Sequence, residues 1–253
     1  MAINTLREAA PALRSDPRAA LTRCAWILAD EGHESGLAGQ LTARGPDEGT
    51  FWTLPLGLAF DEADEASWLL IDGAMNVLEG AGSYGIREPN PATRFHLWVY
   101  RARADVQAIV HTHPPAASVL AAAEQPLVVA HMDATPLFDD MAFLPDWPGL
   151  PTADREGELI AGGLGTKHAM LLAHHGLLAA GRSVAEAAFL AVFIERMARL
   201  QVDAAPLGGV KPIDAGEARR ARDFLRTDRI MDATFAAWSR RAARRRGHRG
   251  GAA

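Results

Sequence analysis

Apolar positions recur along the chain at helical and at strand spacings, and their order predicts helices alternating with short strands. Leu21, Cys24, Ala25 and Leu28 form an i, i+3, i+4, i+7 stripe. Asp16 is placed to cap this first helix, Pro17 suits its first position, and Gly32 suits the position after its end. Four strand-like runs follow, at 40–44, 50–55, 68–72 and 75–79, with turn residues 45–49 and Gly73 as punctuation. Such short spacers predict hairpins, hence antiparallel pairing.

The second half reads in the same way. Asn90-Pro91 opens a helix that carries Phe95, Trp98 and Val99 on one side. A strand over 106–111 is closed by Pro114-Pro115, and a short helix follows. Five prolines between 126 and 151 predict a long loop, which inside a compact domain is often functional. A helix over 156–164 and a strand over 169–174 come next. Ser183 and Glu186 have the spacing of a capping box and open a long helix to about Ala204. Ala187, Leu190, Phe193, Ile194 and Met197 form its buried face. Residues 214–239 read as one more helix, and 240–253 as a disordered basic tail. With no repeat and no linker, residues 1–239 are expected to form a single three-layer αβα domain.

Composition narrows the classes. Hydrophobic residues are 49% of the 253 and charged residues 23%, as in an ordinary globular protein, which excludes a disordered chain. Cys24 is the only cysteine, so neither an internal disulfide nor a multi-cysteine zinc site is available. Any metal must be held by His, Asp or Glu. Net charge is −5 although six arginines crowd the last fourteen residues. The remaining body is therefore acidic, and no nucleic-acid partner is expected. No apolar run reaches the ~18 residues of a membrane span, and no signal-peptide pattern opens the chain. A cytoplasmic location and no membrane partner are the expectations.

The histidines carry the candidate chemistry. In His111-Thr112-His113 at a strand end, residues two apart point to one face and can share a cation. Taken alone, such a pair is more often two exposed strand-end residues. His174-His175-Gly176 ends a second apolar run; adjacent strand residues face opposite ways, so one of these two should join the site. Three imidazoles around a divalent ion leave positions open for water or substrate, as catalytic sites do. His131, in the proline-rich stretch, is a candidate proton donor and equally a plain loop residue. Asp139-Asp140 reads as a turn or cap. Gly36-Leu37-Ala38-Gly39 fits neither the Walker nor the G-x-G-x-x-G pattern, no G-x-S-x-G occurs, and Cys24 lies on an apolar stripe.

Five segments together resemble the class II aldolase/adducin family: GLAGQLTAR at 36–44, LPLG at 54–57, EPNPATRFHLWVY at 88–100, DVQAIVHTHP at 105–114 and LLAHHGLLAAG at 171–181. The resemblance spans roughly residues 20–205. It implies a mainly antiparallel central sheet. It also implies one divalent metal ion on His111, His113 and His175. Zinc is the expected ion, with manganese, iron or cobalt as alternatives. A homotetramer with sites at subunit interfaces is implied too. Gly39, Gln40 and Gly57 fall at the positions expected to contact substrate.

The departures from the family pattern shape the expected function. Gln40 and Leu56 stand where phosphosugar aldolases of the family have an Asn and a Ser for phosphate. Replacing that Ser by Leu deletes a donor from a site that must satisfy a dianion. Ala92 aligns where they place an acid/base Glu. Retro-aldol cleavage needs a base for the carbinol proton, whereas decarboxylation needs an electron sink and a later proton donor. The expectation is a metal-dependent carbon–carbon lyase for a small unphosphorylated hydroxy- or keto-carboxylate, foremost a decarboxylase. His131 is its candidate catalytic residue. An aldolase for an unphosphorylated keto acid, a non-haem iron oxygenase and a non-catalytic adducin-like binding protein are the alternatives.

Overall fold

The computed structural model describes residues 17–80, 82–147, 149 and 154–249. An eight-stranded sheet in the order β4-β3-β2-β1-β5-β8-β7-β6 forms the middle of three layers. Its strands are β1 (Gln40–Arg44), β2 (Thr50–Thr53), β3 (Leu69–Asp72), β4 (Val77–Glu79), β5 (Ala108–Thr112), β6 (Met141–Leu144), β7 (Ala169–Leu172) and β8 (Leu177–Gly181). All neighbours are antiparallel except β6 and β7.

The helices cover both faces. On one lie α1 (Pro17–Asp30), α3 (Pro115–Ala122), α5 (Val184–Ala204) and α7 (Asp228–Arg249); on the other lie α2 (Thr93–Ala102) and α4 (Asp154–Leu164). Side chains alternate across the sheet as the pleat requires. Ala108 and Val110 of β5 enter the first core, and Ile109 enters the second. Helix α6 (Ala215–Leu225) packs on the 3-10 turn Met132–Leu137.

Local signals explain most helix ends. Gly32 adopts a left-handed φ of 79°, and the His33 amide then donates to Leu28 O at 2.9 Å, closing α1. Asp16 lies outside the described residues. Ser183 Oγ accepts the Glu186 amide at 3.1 Å, but the Glu186 carboxylate takes the Arg182 amide instead of closing the box.

Three expectations need correction. The 126–151 stretch is not simply a loop: it contains the 3-10 turn and β6, which pairs in parallel with β7. β6 is a four-residue edge strand, half-buried throughout, so it shows no alternation to read. Residues 214–239 are not one helix. The chain breaks at Arg226-Thr227, where the Arg226 guanidinium turns inward to Asp140 and Glu186. The Thr227 carbonyl then accepts the Ile230 and Met231 amides and starts α7. The basic residues from 240 onward continue α7 to Arg249 rather than forming a disordered tail. Arg241 reaches Glu31, while Arg245 and Arg246 reach Asp30 at 3.3 Å, so acids at the end of α1 neutralise that face. Among the described residues no helix is long and apolar enough to cross a membrane.

Candidate metal centre

β5 places His111 opposite Gln40 of β1 and Leu178 of β8. Its Nδ1 lies 2.8 Å from the carbonyl oxygen of Leu177. That bond requires the proton on Nδ1 and leaves the Nε2 lone pair free. His113 Nε2 is 3.0 Å from His111 Nε2. His175 arrives on the connection between β7 and β8, with ring centroids 4.7 Å from those of both His111 and His113. One nitrogen from each of the three rings lies within 4.8 Å of the others. The cluster includes no carboxylate or thiolate.

The β7–β8 turn makes this convergence possible. His174 takes a left-handed φ of 56°. Its amide donates to Ala121 O at 3.1 Å and its Nε2 lies 2.9 Å from Glu124 Oε1, so its ring is engaged away from the trio. A turn, not strand alternation, therefore separates the two adjacent histidines. A Cβ on Gly176 would stand 2.5 Å from both His113 Cδ2 and the Thr112 carbonyl oxygen, so only glycine lets the turn close on β5.

Burial keeps these imidazoles neutral. It holds His111 well below the usual histidine range and lowers His113. His175 falls to about 4, by burial first and the neighbouring His113 second. The neutral ring is the form that ligates a metal. Tetrahedral zinc with imidazole ligands separates their nitrogens by about 3.3 Å, within the spread seen here. His175 Nδ1 is buried without a hydrogen-bond partner in the protein. Neutral donors, a fixed His111 tautomer and an unsatisfied buried nitrogen fit a divalent cation.

Two further histidines are buried near these strands. His33 Nδ1 is 2.9 Å from Thr112 Oγ1, and His96 Nδ1 is 2.9 Å from Thr42 Oγ1. Burial pushes both to about 3, with Arg196 adding to the effect at His33. Phe95 and His111 pack edge to face, with ring centroids 4.9 Å apart.

The other sequence candidates fall differently. Gly39 is buried at φ 111°, and a Cβ there would meet His111 O at 3.2 Å, so it borders the cluster. Gly57 is exposed at φ 99° in the loop that pairs with residues 86–89. Gln40 is fully buried, and its Nε2 donates to Thr53 Oγ1, Leu54 O and Thr93 Oγ1 at 2.7–3.0 Å. Its amide hydrogens are spent inside the fold. Ala92 packs on the second core, and Asn90 Oδ1 accepts its amide at 3.0 Å. His131 is not among the clustered rings. It is half-exposed and caps the 3-10 turn, its Nδ1 accepting the Asp133 amide at 3.2 Å.

Sequence reasoning did not single out Leu177, Glu124 or Glu195. Glu195 accepts the Ala116 and Ala117 amides at 3.0 and 2.8 Å, and so caps α3 directly after His113-Pro114. An acid on the apolar face of a helix, between Ala191 and Ala198, is the signal that marks it. Nothing in the sequence marks a carbonyl such as that of Leu177.

Comparison with known proteins agrees with this geometry. The model of the Class II Aldolase and Adducin N-terminal domain matches residues 19–202. A 4-hydroxy-3-prenylphenylpyruvate oxygenase/4-hydroxy-3-prenylbenzoate synthase of Streptomyces roseochromogenus subsp. oscitans is 32% identical over 74% of this chain. Decarboxylase NovR of Streptomyces niveus is 31% identical over 74%. These matches span 66% and 68% of the relatives' own lengths. The structure of an L-fuculose 1-phosphate aldolase from Glaciozyma antarctica PI12 superposes with a TM-score of 0.85 at 27% identity, covering 94% of this chain and 93% of that one. The chain belongs to the class II aldolase and adducin family.

Proposed function

We propose that this chain is a metal-dependent carbon–carbon lyase that removes carbon dioxide from a small, unphosphorylated hydroxy- or keto-carboxylate. His111, His113 and His175 would hold one divalent ion, zinc in the first instance. The observation that carries the reading is a cluster of three imidazoles with no carboxylate among them, in a chain that has Ala92 at the position where the family pattern places the aldol base. The names of the two Streptomyces relatives support it, one a decarboxylase and the other an oxygenase and benzoate synthase.

A bound divalent ion supplies a Lewis acid for a carboxylate and an adjacent oxygen. Gly39, which borders the cluster, and Gly57 are the proposed substrate contacts. Gln40, committed to Thr53 and Thr93, offers nothing to a phosphate. As the carbon–carboxylate bond breaks, carbon dioxide leaves and the pair from that bond is delocalised through the neighbouring carbon onto a carbonyl or phenolic oxygen β to the carboxylate, as an enolate or aryloxide. His131 is the proposed donor of the proton that carbon then takes, since its Nδ1 is occupied as an acceptor and Nε2 remains for transfer. In a homotetramer, the proposed assembly, the 126–151 stretch would lie near a subunit interface.

The test is to load the protein with zinc, manganese or iron and offer hydroxyaryl carboxylates, arylpyruvates and fuculose 1-phosphate. Carbon dioxide release from a carboxylate, without cleavage of the sugar phosphate, is the expected result. Efficient retro-aldol cleavage of the sugar phosphate would overturn it. A second reading, an iron-dependent oxygenase, is favoured by the name of the Streptomyces roseochromogenus relative. Oxygen uptake stoichiometric with carbon dioxide release, and only with iron, would select it.

A further inference from the structure

Helix α3 touches both segments that deliver the clustered histidines. It begins at Pro115, two residues after His113, with Pro114 as its N-cap. At its far end, Ala121 O accepts two amides, that of Glu124 within its own chain turn and that of His174 across the structure, each at 3.1 Å. The second contact lands on the residue directly before His175. It is reinforced by the side-chain bond of 2.9 Å between His174 Nε2 and Glu124 Oε1.

The backbone at both ends of that bond is unusual. Only five described non-glycine residues have positive φ, and Glu124 (52°) and His174 (56°) are two of them. Left-handed backbone at non-glycine residues persists where its surroundings over-determine it. Here the two residues are bonded to each other, and neither is needed for the core: both side chains are about half-exposed. The strain thus lies in a surface latch whose effect is to fix the turn carrying His175.

We propose that Glu124 is a positioning residue for the metal centre. With α3 as a rigid bracket, the Glu124–His174 bond sets where His175 stands relative to His113. The inference rests on the metal reading above. It adds an outer residue that touches neither ion nor substrate.

Cobalt(II) uptake by the full chain tests it, with the dissociation constant and the d–d absorption spectrum as readouts. Loss of a partner bonded directly to a metal ligand typically weakens binding 10–100-fold, and Glu124 acts one residue further out, through His174, so the lower end of that range applies. Glu124→Ala should bind cobalt about tenfold more weakly and shift the spectrum, while the apo protein melts within a few degrees of wild type. Glu124→Gln, which can still accept from His174, should restore both readouts most of the way. Wild-type affinity and spectrum in Glu124→Ala would overturn the positioning role while leaving the metal site standing. A fall in apo melting temperature that Glu124→Gln fails to relieve, with an unchanged spectrum, would also overturn it, as a merely structural effect. Wild-type protein that takes up no cobalt would overturn the metal reading itself and the bracket with it.

Discussion

Gly176 leaves no room for a side chain against His113: a Cβ there would stand 2.5 Å from its Cδ2. The same turn brings in His175 and gives His111 the Leu177 carbonyl, so one short connection governs all three rings. Gly176→Ala should displace the turn from β5. Overpacking of this kind costs about 1–3 kcal/mol. The expected result is a folded, less stable protein whose zinc affinity falls at least tenfold, read by calorimetric titration beside a thermal melt.

Gln40 should behave as an internal strut. Its Nε2 joins Thr53 and Thr93, two hydroxyls with no exposure. Gln40→Leu leaves the two hydroxyls only each other, at 2.7 Å, and removes a donor from the Leu54 carbonyl, at a cost of about 1–3 kcal/mol for buried groups that lose partners. A urea midpoint lowered accordingly, with metal stoichiometry retained, is the expected outcome. A stable variant with altered substrate affinity would instead return Gln40 to the binding site.

Arg226 holds together the break between α6 and α7. Its guanidinium, mostly buried, is shared between Asp140 and Glu186, and burial lowers it to about 10. Arg226→Met would leave Asp140 and the fully buried Glu186 short of positive charge, though Arg182 still reaches Glu186. Breaking a buried pair from one side costs about 3–5 kcal/mol. The melting temperature should drop steeply, and proteolysis should release the C-terminal helices first.

Buried His33 gives the apo protein a defined acid sensitivity. Its pKa falls from 6.5 to about 3, chiefly through burial. Between those values the unfolded chain binds the proton and the folded one does not, so stability is present above pH 6.5 and is lost as pH falls towards 3. The slope is at most about 1.4 kcal/mol per pH unit for one group. Urea unfolding of metal-free wild type and His33→Asn from pH 7 to 4 should show a flatter dependence in the variant.

These features differ in how far the sequence reveals them. The hairpin strands and α5 were legible because turn residues and a full apolar face mark them locally. The convergence of His111, His113 and His175 was legible through two strand-end clusters and the family pattern. β6 was not, because an edge strand of four half-buried residues has no alternation and takes its identity from β7. The end of α7 was not, because its arginines are neutralised by Asp30 and Glu31, some 210 residues upstream. The internal bonds of Gln40 were not, because a position in a family pattern does not say where a strand residue's amide hydrogens are spent.

Ala92 offers a gain-of-function check on the reaction. Ala92→Glu supplies a carboxylate where an aldol base is expected from the family pattern. If its absence separates this chain from the aldolases, the variant should gain measurable aldol activity toward an unphosphorylated aldehyde and keto acid pair. Unchanged background activity would assign the difference to the pocket.

Metal content bears most directly on the central claim. Elemental analysis of the purified chain should find one divalent ion per protein. His111→Ala, His113→Ala and His175→Ala should each contain none, whereas His174→Ala, which removes only the latch, should still fill stoichiometrically at micromolar concentration. Full metal retention in His175→Ala would contradict the account.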